Sequence, residues 1–414
     1  MMNRTLMADL QEATRLTQAG QLQEATAMLQ RALGGVSNPD GVESASTPER
    51  GAHSAWGKAD RTRQGVVLEG DYRVVNDTPS RSSKSTAGAS RGSGEFLSGS
   101  FKNHAGSRDY KLYIPSAYHG QSLPLVVMLH GCTQNPDDFA LGTGMNTLAE
   151  AQPCFVLYPA QPASANSSKC WNWFKASDQQ RDHGEPAILA GMTRHIVESH
   201  QLDERRIYVA GLSAGGAMAT TLAMTYPDLY AAVGIHSGLP HAAAHDLPSA
   251  LAAMQGGAGT RSHVNVPGMK MSGMHRSGMA GSGINSQEAG TRRSNFGQQG
   301  SGSASKGKIP AVIFHGDRDS TVHPCNGQRV AAQYVDPDAV SQTREERGQV
   351  ANGHGYTRTL HHDASDHVLM EQWTIHGAGH AWAGGSARGS YTDPKGPDAS
   401  KEMLRFFLAH PKRE

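Results

Sequence analysis

The stretch Ile207-Tyr208-Val209-Ala210-Gly211-Leu212-Ser213-Ala214-Gly215-Gly216 decides how the rest of the chain is read. A short run of apolar and β-branched residues ends at Gly211, a serine follows between glycines, and a helix-forming stretch begins at Ala217. Strand, G-x-S-x-G and helix in that order predict a sharp turn that lifts a serine hydroxyl above a sheet, with small neighbours because the backbone there is crowded. The motif alone carries little weight. Gly88-Ala89-Ser90-Arg91-Gly92 also fits it, but has no strand before it and no helix after it. Ser213 is therefore the candidate nucleophile.

Working outward, Leu125–Leu129, Phe155–Tyr158, Ala231–Ile235 and Ala311–Phe314 are further apolar runs that read as fully buried strands. Helical patterns separate them, as at Glu185–His200 and Ala217–Thr225. The alternation predicts the α/β class, a mainly parallel sheet with helices on both faces. Lys111–Ile114 is expected to add an antiparallel edge near its start.

A serine hydroxyl is a weak nucleophile near neutral pH, so a histidine base and an orienting carboxylate must accompany it. In this architecture they follow the serine in the order carboxylate, then histidine, each in a loop after a later strand. Ala311–Phe314 runs into His315-Gly316-Asp317-Arg318-Asp319, where two aspartates compete. Asp319 is favoured because it lies further into the loop and can turn back; Asp317 reads as a cap or a partner of Arg318. Gln372–Ile375 runs into His376-Gly377-Ala378-Gly379-His380-Ala381-Trp382, whose glycines suit a loop that carries His380 over the nucleophile. With 21 histidines in the chain, position and order rather than residue type select His380.

Backbone N–H groups must also meet the developing oxyanion. Ala214, directly after the nucleophile, and Cys132, in His130-Gly131-Cys132-Thr133-Gln134 after the strand Leu125–Leu129, are the candidates. Cys170 precedes Trp171-Asn172-Trp173-Phe174, and a Cys132–Cys170 bridge and two free thiols both stay open, since connectivity is not legible in sequence. Trp171 and Trp173, with Trp382 beyond His380, are read as substrate-contacting aromatics of a cleft wall, against the alternative of ordinary core.

The 38 Lys+Arg and 37 Asp+Glu leave a net charge of +1, which argues against nucleic-acid binding through bulk charge. Four cysteines are too few and scattered for a zinc framework, and neither metal nor cofactor is expected. No apolar run reaches membrane-spanning length. The hydrophobic fraction of 37% and 48 glycines fit a core diluted by two coreless stretches. Residues 36–95 read as a disordered linker and 256–307 as a disordered insert within a catalytic domain spanning 96–412. The insert region is basic, about +5, which leaves the remainder about −4. Residues 1–35 read as a helical hairpin that packs on the main domain or on a second chain, the latter making a homo-oligomer.

The motifs at His130–Gln134, Cys170–Phe174, Gly211–Gly216, His315–Asp319 and Gly377–Trp382 together resemble the poly(3-hydroxybutyrate) depolymerase family of esterases, which is related to feruloyl and acetylxylan esterases. The resemblance implies an α/β-hydrolase fold and a serine carboxylesterase with Ser213, Asp319 and His380 as triad. It also implies a short-chain poly- or oligo(3-hydroxyalkanoate) substrate, with feruloyl or acetyl esters as the alternative. A non-catalytic protein of polyester granules is the reading from another class. Secreted members of the family imply an extracellular location, whereas Met1–Gly20 lacks the apolar centre of a secretory signal, which leaves the cytoplasm as the alternative.

Overall fold

The structure, a computed structural model, describes residues 94–256, 308–335 and 338–412. The hairpin expected at 1–35, the linker up to residue 93 and all of the insert but Gly256 lie outside the described residues. One ten-stranded sheet organises the rest, in the order β1-β2-β4-β3-β5-β6-β7-β10-β9-β8. Its strands are β1 (Glu95–Asn103), β2 (Gly106–Ile114), β3 (Leu125–Leu129), β4 (Phe155–Pro159), β5 (Ile207–Leu212), β6 (Ala232–His236), β7 (Ala311–Gly316), β8 (Gln342–Gln349), β9 (Gly355–His362) and β10 (Val368–Ile375). The block from β4 through β10 pairs in parallel, and β3, β4, β5, β6 and β7 are buried at every residue. Such strands need apolar side chains on both faces, which is why they stood out as unbroken runs. Lys111–Ile114 is antiparallel as expected, but it is not the edge: β1 lies outside it, paired from Glu95↔Ile114 to Asn103↔Gly106.

The period-two geometry of a strand sorts the core into two layers. Val127, Leu129, Val209 and Ile235 face one cluster, with Ile196 of α3 (Gly184–His200), Leu222 of α4 (Ala214–Thr225), Ala250 of α5 (Leu247–Met254) and Val330 of α6 (Cys325–Tyr334). Val126, Met128, Tyr208 and Ala210 face the other, with Phe139 of α1 (Pro136–Thr143), Met145 of α2 (Met145–Ala151) and Phe407 of α7 (Ala399–Ala409). Helices therefore cover both faces. This arrangement is the α/β-hydrolase fold.

The parallel registers bring one end of the sheet into line, with Leu129↔Gly211, Leu212↔His236, His236↔Phe314 and Ile375↔Gly316. Residues just past those pairs leave from the same, C-terminal edge. In open α/β sheets that edge is where ligands bind. Among the described residues, no helix is long and apolar enough to cross a membrane.

Candidate active site

Ser213 stands between β5 and α4 with φ 57° and ψ −118°, a conformation that costs a non-glycine residue of order 1–3 kcal/mol and persists only where its surroundings hold it. They do so here. The Ser213 N–H donates to His236 O at 2.9 Å, and Ser213 O accepts from Ala217 N at 2.9 Å to begin the helix. The flanking glycines have a steric reason: a Cβ on Gly211 would lie 2.4 Å from Gly215 O, and one on Gly215 would lie 2.1 Å from Leu129 O. The helix starts at Ala214, three residues earlier than the sequence pattern indicates, so the turn is as sharp as the motif requires.

Asp319 follows β7 and His380 follows β10, and the two meet: His380 Nδ1 donates to Asp319 Oδ2 at 2.7 Å. Asp319 Oδ1 accepts from Thr321 N at 2.9 Å and Val322 N at 2.8 Å. Burial pushes this carboxyl up, but the hydrogen bond from His380, its charge and the loop amides outweigh burial and hold it below the usual carboxylate range. Asp317 has a different partner. It accepts from Gly377 N at 2.7 Å and meets His376 Nδ1 at 3.0 Å, so the two aspartates and two histidines sort into separate pairs. Among the described residues the Ser213 hydroxyl makes no hydrogen bond to His380; such contacts often tighten only around bound substrate.

The loop after β3 carries the other candidate donor. Cys132 and Cys170 form a disulfide with Cα atoms 4.2 Å apart, which closes the question left open by the sequence. Gly131 N donates to Gln134 Oε1 at 2.9 Å and Thr133 N to Ser168 O at 2.7 Å. Ala214, first residue of α4, has its N–H among those a helix cannot pair internally. Cys132 N and Ala214 N thus belong to segments that meet beside Ser213, where a Cβ on Gly131 would lie 3.7 Å from Ser213 Cβ.

The three tryptophans are not on a surface. Trp171, Trp173 and Trp382 are 0%, 6% and 1% exposed. Trp171 Nε1 donates to His130 O at 3.1 Å beneath the Cys132 loop, and Trp382 Nε1 donates to Ser400 Oγ at 3.0 Å. Trp171 thus supports the Cys132 loop, Trp382 is fastened to α7, and Trp173 lies in the core edge-on to Phe174. A single chain offers no means to tell a bracing tryptophan from a lining one, because both sit in loops beside glycines and cysteines.

Several supports had no signal in the sequence. Glu185, buried at the start of α3, accepts from Asn172 N at 2.7 Å, Asn172 Nδ2 at 2.8 Å, Arg108 at 3.1 Å and the Gln161 amide. It ties the Cys170 loop to β2 and β4. His315 Nε2 donates to Val322 O at 2.8 Å and lies 3.5 Å from Asp319 Oδ2, which fixes the aspartate loop. His236 stacks between Phe314 and Trp382 and accepts the Ala383 N–H at Nε2, 3.0 Å. His130 donates from Nδ1 to Gly131 O and accepts the Gln161 N–H at Nε2.

These last two histidines set an acid sensitivity. Burial pushes His130 down to about 4 and His236 down to about 3, so both are neutral in the folded protein at pH 5, while in the unfolded chain they protonate near 6.5. Between those values the unfolded state binds more protons, and stability falls as pH falls. Each group is expected to cost about 1.4 kcal/mol per pH unit below 6.5 until its folded value is reached. Denaturant unfolding at pH 7, 6 and 5 checks this; a midpoint unchanged across that range would exclude it.

A ten-stranded sheet of this order, a serine at a strained strand-to-helix turn, and an Asp–His pair at the same sheet edge define an α/β hydrolase. Residues 108–281 match the family described as Esterase PHB depolymerase. The chain is 30% identical over 281 residues to poly(3-hydroxyalkanoate) depolymerase C of Paucimonas lemoignei, covering 68% of this chain and 60% of the relative. It is 25% identical over 310 residues to acetylxylan esterase A of Talaromyces purpureogenus, covering 70% and 72%. Among solved structures, an acetyl xylan esterase from Aspergillus awamori is similar with a TM-score of 0.49 at 17% identity, covering 73% of this chain and 94% of that one. The resemblance to the poly(3-hydroxybutyrate) depolymerase family therefore holds, and the chain is a relative of these esterases. It spans 60% of the length of the Paucimonas relative and 25% of the poly(3-hydroxybutyrate) depolymerase of Ralstonia pickettii.

Proposed function

We propose that this chain is a serine carboxylesterase that hydrolyses short-chain poly- or oligo(3-hydroxyalkanoate) esters through an acyl-enzyme. The Asp319–His380 hydrogen bond at 2.7 Å, at the same sheet edge as a serine raised on a strained turn, is the observation that carries the mechanism. With Nδ1–H committed to Asp319, His380 Nε2 is the nitrogen free to accept a proton. Ser213 Oγ attacks the ester carbonyl carbon as its proton passes to Nε2, and the tetrahedral oxyanion is met by the Cys132 and Ala214 amides. Collapse expels the alcohol, which takes the proton from Nε2. Water then attacks the acyl-Ser213 ester by the same path and releases the acid. Asp319 keeps the imidazole in one tautomer and stabilises the imidazolium; its lowered pKa keeps it ionised throughout.

The substrate class is supported by the family match and by the Paucimonas relative, whose name is a polyhydroxyalkanoate depolymerase. The acetylxylan esterase of Talaromyces, of which this chain covers 72%, supports a second reading, an esterase acting on acetyl groups of polysaccharide. The catalytic unit is proposed to span 96–412, with the residues before and within it as attachments. A panel of 3-hydroxybutyrate oligomers, acetylated xylan and ethyl ferulate, combined with labelling by an alkylphosphonate, tests both levels. Failure to label Ser213 and to cleave any of the three esters would leave the non-catalytic granule protein as the reading. Cleavage of acetylated xylan alone would move the substrate to the second.

A further inference from the structure

The aromatic contact that the three tryptophans do not provide has another candidate. Tyr391 is 47% exposed and has φ 51°, the left-handed region, which for a bulky residue is uncommon and held only by its surroundings. Its segment is fastened on two sides of the site. On the histidine side, Trp382, two residues past His380, donates its N–H to Tyr391 O at 2.7 Å. On the oxyanion side, Ser390 N donates to Asp138 Oδ1 at 2.9 Å, and Gln134 Nε2 donates to Ser390 O at 3.1 Å.

The side chain reaches the same place. Tyr391 OH lies 3.2 Å from Thr133 Oγ1, and Thr133 Oγ1 donates its one proton to Cys132 O at 2.6 Å. The tyrosine must therefore donate and the threonine accept. A ring held by its backbone near the His380 loop and by its hydroxyl at the residue after Cys132 links the two loops that carry the proposed base and one proposed oxyanion donor. An exposed ring in a strained, doubly fastened segment is a fixed apolar surface. Nearly half of the residue's surface is open among the described residues.

We propose, resting on the esterase reading above, that Tyr391 is a specificity-determining residue: its ring packs against the part of the ester that extends beyond the reacting carbonyl, and so selects substrates larger than a simple acetate. The contact is made in the bound substrate as well as in the transition state, so it acts on KM more than on kcat.

The test compares ethyl acetate, small on both sides of the ester, with the methyl ester of a 3-hydroxybutyrate trimer. Tyr391→Ala is expected to lower kcat/KM for the trimer about tenfold, through KM, the size of a lost aromatic contact, and to change ethyl acetate less than about twofold. Tyr391→Phe keeps the ring and is expected to keep trimer hydrolysis within about threefold of the original protein. Equal losses on both esters in Tyr391→Ala would make the residue merely structural and overturn the inference while leaving the esterase reading intact. An original protein that cleaves neither ester would overturn the inference, and, if an alkylphosphonate also fails to label Ser213, the esterase reading with it. Unchanged trimer kinetics in Tyr391→Ala would overturn the inference alone.

Discussion

Replacing Ser213 with alanine is expected to lower kcat for ester hydrolysis roughly a million-fold, the loss typical when the nucleophile of such a triad is removed, with a small residue of catalysis from the oxyanion amides. The substitution is clean because every contact that shapes the turn is made by the backbone. Ser213 N reaches His236 O and Ser213 O starts α4, and alanine keeps both. Both side chains have a Cβ, so the positive φ strains alanine no less and no more than serine. Only Oγ is lost. Melting temperature should accordingly stay within a degree or two, since a substitution that removes no cap, cavity or buried partner lies within about 0.5 kcal/mol. Steady-state kinetics on a short ester, with a melt of each protein, decides the matter. Retention of more than about a thousandth of the original rate in a folded variant would place the nucleophile elsewhere.

How much of this was legible in sequence follows from what each residue answers to. β3, β5 and β7 were visible because burial on both faces leaves only apolar residues. β8, Gln342–Gln349, reads Gln-Thr-Arg-Glu-Glu-Arg-Gly-Gln and has almost every residue exposed; an edge strand in solvent needs no apolar pattern, and charges there discourage pairing with other chains. β1 was hidden for a related reason, since Glu95–Asn103 is partly exposed and follows a polar stretch that resembles a linker. At the candidate site, Ser213 and His380 stood out in sequence because glycines flank the turn of one and precede the other, and Asp319 because it follows a buried strand in the expected chain order. Glu185, His236 and Tyr391 obey no local rule. Each owes its role to a partner 13 to 258 residues away, Asn172, Ala383 or Thr133, which only the folded chain brings near.

The second large effect separates the two aspartates. Asp319→Asn is expected to lower kcat about ten-thousand-fold, and Asp317→Asn less than about tenfold. Asp319 accepts three N–H groups and donates none: Thr321 N and Val322 N at Oδ1, His380 Nδ1 at Oδ2. An asparagine satisfies the two loop amides with its carbonyl oxygen and therefore turns its NH2 towards His380. Facing a donor, the imidazole adopts the other tautomer, with Nδ1 accepting and the proton on Nε2, the nitrogen that must receive the serine proton. The base is then blocked with the geometry intact. Asp317 is placed differently. As asparagine it still accepts Gly377 N at its oxygen, and its NH2 donates to His376 Nδ1, because the partner on the other ring nitrogen is the Thr357 hydroxyl at 2.9 Å, which can donate as well as accept. His376 can change tautomer without loss, whereas His380 cannot. The measurement is kcat on one short ester for both variants, with a melt to show that each folds. Losses of similar size, or a larger loss for Asp317→Asn, would mean that the carboxylate orienting His380 in turnover is not the one that holds it at rest.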